Sequence, residues 1–131
     1  MFRRQSKPQG RIDSLIGSAT RIEGNVFFSG GLRIDGQVRG NVCALPDQPG
    51  TIVVSEHARI DGEVQAAHLV VNGSISGPVH ASETLELQPG ARVRGDVHYK
   101  SIEIHHGAVV EGKLAHHEDA DVKSVGLKLA S

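Results

Sequence analysis

The chain has 131 residues, of which 22% are charged and 38% hydrophobic, with no Trp, one Tyr, one Met and three Phe; this describes one soluble domain with a thin aliphatic core and excludes a thick aromatic one. A formal net charge of -1 gives no general attraction to nucleic acid or acidic lipid, so such binding would have to come from a local cluster. Cys43 stands alone and cannot close an internal disulfide, no apolar run approaches the ~20 residues of a membrane-spanning helix, and the start lacks the apolar stretch of a signal peptide, so a cytoplasmic location is expected.

Residues 1–13 carry Arg3, Arg4, Lys7 and Arg11 before the first acid, Asp13, and read as a flexible basic tail. Met1 and Phe2 could enter a membrane at headgroup depth while Arg3 and Arg4 face an anionic leaflet, where each basic group gains about 1 kcal/mol. Two apolar side chains bury little, however, and on the residues alone a solvated tail accounts for the segment better.

From residue 14 a repeat takes over: apolar, any, Gly, any, apolar. Its copies are Ile22–Val26, Val38–Val42, Ile60–Val64, Ile75–Val79, Val93–Val97 and Val110–Leu114. The glycines at 24, 40, 62, 77, 95 and 112 follow at intervals of 16, 22, 15, 18 and 17, and the long interval holds Leu45–Gly50, which reads as a loop inserted at a corner. Apolar residues fall two before each glycine, two after it, and in an alternating pair such as Leu32 and Ile34 or Leu85 and Leu87. Alternation marks a short strand with one buried face, and three such strands in ~17 residues describe a coil with three sides. One coil cannot bury its own interior, but a stack of coils has a continuous aliphatic core. The fold expected is therefore an all-β, three-sided parallel β-helix of about six coils over residues 14–116, a rod ~29 Å long at ~4.8 Å per coil. Glycine suits the corners, where the chain turns sharply. Small residues at Ala44, Ala66 and Ala81 predict a narrow interior, with Phe28 and Tyr99 taking that position nearer the ends.

Facing outward, Arg33, Val53, Val70, Glu86 and Glu103 form one column, whose Glu86–Glu103 step sets like charges side by side with no visible compensating partner. Beside the glycines, Arg39 with Asp61 and Arg94 with Glu111 are expected to pair between coils and fix their register. After residue 116 the repeat stops, and 117–131 reads as a second flexible tail, acidic at Glu118–Asp121.

These units, above all Gly31-Leu32-Arg33-Ile34-Asp35-Gly36-Gln37-Val38-Arg39-Gly40-Asn41-Val42 with the Ser14-Leu15-Ile16-Gly17 opening, resemble the bactofilin family of bacterial cytoskeletal proteins. The resemblance covers residues 14 to 116. It implies a right-handed β-helix that polymerises end to end, without a nucleotide, into non-polar filaments or sheets. Such polymers scaffold cell shape, polarity or wall-associated processes at the inner face of the membrane, with cell-wall or polarity proteins as further partners. It also implies a short N-terminal segment that reaches the membrane, a role that Met1, Phe2, Arg3 and Arg4 fit. The Leu45–Gly50 insertion and the eight histidines depart from the pattern. The assembly surfaces expected are the open ends of the solenoid. Ile16, Ile22, Val26, Phe27 and Phe28 stand at the first, with Phe27 turned outward by alternation, and Val109, Val110 and Leu114 at the last.

The strongest enzymatic alternative is a hexapeptide-repeat acyltransferase, another three-sided solenoid, which would place a histidine base at a subunit cleft. Its repeats keep a strict six-residue phase, against which an interval drifting between 15 and 18 argues, so no catalytic centre and no cofactor are expected. His80 and His98 occupy equivalent outward positions, while His105-His106 and His116-His117 cluster near the end; with no carboxylate or cysteine at a coordinating spacing, they read as solvated surface residues rather than metal ligands. Gly36-x-x-x-Gly40 and Gly73-x-x-x-Gly77 lack the lysine of a phosphate loop, so no nucleotide is expected. Scattered basic residues without exposed aromatics give no nucleic-acid surface.

Overall fold

The computed structural model describes residues 12–46 and 49–116, and in these residues every paired strand is parallel. The first coil is β1 (Ser14–Ile16), β2 (Arg21–Glu23) and β3 (Val26–Phe28); the second is β4 (Gly30–Ile34), β5 (Gln37–Arg39) and β6 (Val42–Ala44). The third begins with β7 (Gly50–Val54) and β8 (Arg59–Asp61), and from there the chain rounds one corner without breaking its ladder. Thus β9 (Val64–Val71) closes the third coil and opens the fourth, and β11 (Val79–Leu87) and β13 (Val97–Ile104) do the same after β10 (Ser74–Ser76) and β12 (Arg92–Arg94). The sixth coil ends with β14 (Val109–Glu111) and β15 (Leu114–His116).

The repeat governs this arrangement residue by residue. On the face before each glycine, Ile22, Val38, Ile60, Ile75, Val93 and Val110 pair in that order from coil to coil. After the glycine come Val26, Val42, Val64, Val79, Val97 and Leu114, and on the third face Leu32, Ile52, Leu69, Leu85 and Ile102. Like apolar side chains thus lie above one another, and the columns are buried through the middle coils, as a stacked solenoid requires. The uneven intervals are absorbed at corners: Ser82 and Glu83 fall in a register shift of β11 between Ala81 and Thr84, and the insertion lies between β6 and β7.

The corner glycines are needed for two reasons, which Gly95 illustrates. Its φ is 150°, and a Cβ there would collide with the carbonyl oxygen of Gly77 directly below and lie 2.7 Å from that carbonyl carbon. Next to this column, side chains extend the backbone ladder. Asn25 Oδ1 accepts from the Asn41 amide at 2.9 Å, Asn41 Oδ1 from Glu63 at 2.9 Å, and Asp96 Oδ1 from Lys113 at 3.1 Å.

The narrow interior appears where expected: Ala66 and Ala81 are buried, and near the first end Phe28 fills the space over Ala44 and Gly50, where a Cβ on Gly50 would stand 3.1 Å from the Phe28 ring. Arg94 meets Glu111 between coils at 3.4 Å. The expected partner of Arg39 differs: Asp61 takes Arg59 of its own strand, at 3.9 Å, because residues two apart point to the same side of a strand.

Candidate assembly ends and side-wall clusters

Both ends of the solenoid are open among the described residues. The outermost strands β1, β2 and β3 at one end, and β14, β15 and the second half of β13 at the other, each pair on one side only. The core columns lose their cover in step. Val38, Ile60 and Ile75 are fully buried, whereas Ile22 and Val110, the two ends of that column, are half-buried; Val26 is half-buried and Leu114 is 46% exposed at the ends of the next. Ile104, the last residue of β13, is 48% exposed, and Val109 is exposed beside it.

Not every residue expected at the ends is available there. Phe27 is turned outward and 65% exposed, as alternation requires, and the neighbouring Leu15 is exposed too. Ile16, paired with Ile34, and Phe28 are instead buried inside the protomer, Phe28 because Gly50 has no side chain and leaves room for its ring. Asp13 helps fix the first coil, its Oδ2 accepting from the Gly31 amide at 3.0 Å. Met1, Phe2, Arg3 and Arg4 lie outside the described residues, as does the C-terminal tail.

The side walls hold two histidine clusters. His80 and His98 stack face to face, ring centroids 4.6 Å apart and planes 4° from parallel, and His80 Nε2 lies 3.0 Å from Glu63 Oε2. An open groove of about 570 Å³ passes this pair, bounded on the far side by Leu45, Pro46 and Pro49 of the insertion. Near the last coil, Glu86 and Glu103 do stand on adjacent rungs, and the compensating partner missing from the sequence reading is His105, whose Nε2 lies 2.9 Å from Glu86 Oε2 and 3.2 Å from Glu103 Oε2. This corrects the expectation that no carboxylate shares a coordinating arrangement with a histidine. The signal was Glu-x-His at 103–105: two residues apart they share a side, and the 17-residue register adds Glu86. Cys43 is half-buried, and burial first, then the charge of Glu63, pushes its thiol pKa up, which keeps it protonated and a poor nucleophile.

The family model described as bactofilin, polymer-forming cytoskeletal, matches residues 14–115. Bactofilin BacO of Myxococcus xanthus (strain DK1622) is 27% identical over 111 residues, which cover 85% of this chain and 82% of that protein. No solved structure matches the chain significantly.

Proposed function

The chain belongs to the bactofilin family of polymer-forming cytoskeletal proteins, and from that premise we propose that it assembles end to end, without nucleotide, into non-polar filaments that scaffold cell-shape, polarity or wall-associated processes at the inner face of the membrane. The observation that carries this reading is the burial along the core columns, complete in the middle coils and incomplete at Ile22, Val26, Val110 and Leu114. A second copy set against either end would continue both the apolar columns and the backbone ladder, the two things an edge strand leaves unpaired. Covering ~500 Å² of apolar surface at one junction corresponds to roughly 12 kcal/mol before association entropy is subtracted, enough for polymers at micromolar concentration. The resemblance implies non-polar filaments, and in such a filament like ends would meet: first coil to first coil, last to last. The role is structural and requires no catalytic step.

The test uses Val26→Arg and Leu114→Arg, since both side chains reach an end surface while Phe28 is buried within the protomer. Each single variant should stop at dimers through its intact end, and the double variant should be monomeric by light scattering and negative-stain microscopy, with β-rich circular dichroism showing that the coils still form. Long filaments of the double variant would refute end stacking.

A further inference from the structure

Glu86 belongs to the fifth coil and Glu103 to the sixth, and the ladder sets them directly side by side, about 4.8 Å apart between backbones. At the same outward position the other coils carry Leu15, Arg33, Val53 and Val70, so only this step opposes like charges. The chain does not let the two carboxylates diverge. His105, just past β13, reaches back to contact one oxygen of each with the same nitrogen, and the donor atoms of all three residues lie within 4.8 Å of one another.

A protonated imidazole answers this arrangement incompletely, because Nε2 carries one hydrogen and two acceptors compete for it. A metal ion could take all three groups as ligands at once. With bonds near 2.1 Å, neighbouring donors stand about 3.0 Å apart around an octahedral ion and about 3.4 Å around a tetrahedral one; the two nitrogen–oxygen separations here are 2.9 and 3.2 Å. We propose that Glu86, Glu103 and His105 form a binding site for a divalent first-row transition metal of the Zn²⁺ class, which ties the sixth coil to the fifth. One imidazole and two carboxylates are an ordinary donor set for such an ion. Gln88 Nε2 donates, at 3.4 Å, to the same Glu86 Oε2 that faces His105. Glu103 is 69% exposed, so the rest of the coordination sphere is open to water. The site rests on the side wall and does not depend on how the ends assemble.

The experiment uses the full chain, stripped of metal with a chelator and dialysed. Zn²⁺ is titrated by calorimetry, and Co²⁺ is added separately as a spectroscopic probe. One equivalent should bind with a micromolar or tighter dissociation constant, Co²⁺ should give visible d–d absorption, and Zn²⁺ should slow amide exchange in residues 102–105. His105→Gln and Glu103→Gln should each weaken binding at least tenfold, while His98→Gln and His106→Gln leave it unchanged. Undiminished binding in His105→Gln, or its loss in His98→Gln, would assign the metal elsewhere and overturn the proposal. Absence of binding by either metal at 100 µM would overturn it too, leaving His105 as a counter-ion alone.

Discussion

Gly95 and Gly24 occupy the same corner of different coils and separate two costs that a glycine column combines. Gly24, with φ 136°, has no atom within 4 Å of where a Cβ would stand, because no coil lies beneath it among the described residues; Gly95 has the Gly77 carbonyl there. Gly24→Ala should therefore cost only backbone strain, about 1 kcal/mol, while Gly95→Ala, which adds a collision with backbone, should cost about 2–4 kcal/mol in chemical denaturation. Equal losses would show that conformation, not close approach, sets the column. At the same scale, Asp35 is held below the ordinary carboxylate range, first by the Ser55 hydroxyl, which burial opposes, and then by Arg33, whose Nε lies 3.1 Å away. A depressed carboxylate contributes stability that is present above its unfolded value near 3.9 and is lost as pH falls through its lower folded value, so this contribution should disappear only in strong acid. Ser55 also donates to the Ile34 carbonyl at 3.1 Å. In a carboxyl-carbon NMR titration Ser55→Ala should raise the Asp35 pKa; an unchanged value would mean that the hydroxyl serves Ile34 alone.

Single strands of this molecule have little stability apart from their neighbours above and below. Three-residue strands such as β2 and β14 bury their central side chain only through the next coil, and at the ends one neighbour is missing. Stability should therefore grade along the axis, with amides of β7 to β11 exchanging slowest and those of β1 to β3, β14 and β15 fastest, as in a one-dimensional array. Hydrogen exchange on the unassembled protein checks this, and uniform protection would count against it. This element-level order was legible in the sequence because the columns repeat: Val38, Ile60, Ile75 and Val93 need only be written beneath one another. What did not repeat was hidden. The contact of His105 with Glu86 comes from a turn residue folding back across a rung, and the Arg59–Asp61 pair won over Arg39 through a same-strand geometry that coil-to-coil alignment passes over. Burial of Phe28 depended on Gly50, at the far side of an insertion that breaks the period.

For the molecule as a whole, the proposed function puts assembly in the coils and membrane attachment in the N-terminal segment, and the two should then separate by experiment. Deleting residues 1–11 removes Arg3, Arg4, Lys7 and Arg11 together with Met1 and Phe2 and leaves every described strand in place, so filaments should persist while sedimentation with anionic vesicles falls. If Arg3, Arg4, Lys7 and Arg11 contribute to such binding, added salt should weaken it for the intact chain in the same assay. Binding unchanged by the deletion would remove the tail from that role. Where the coils begin and stop was readable in outline from the sequence, because the repeat does; which end residues are exposed among the described residues was decided by packing.

The corner insertion between β6 and β7 lies towards one end of the rod, off its midpoint. Each protomer therefore carries a landmark that tells its two ends apart. In a filament built by joining like ends, the landmarks gather in pairs around every second junction, so the image repeats only once per two protomers, about 58 Å at ~4.8 Å per coil. A filament with all its protomers pointing one way would repeat every ~29 Å. The layer-line spacing of an unlabelled filament thus reads out its polarity, with the protein's own irregularity serving as the marker.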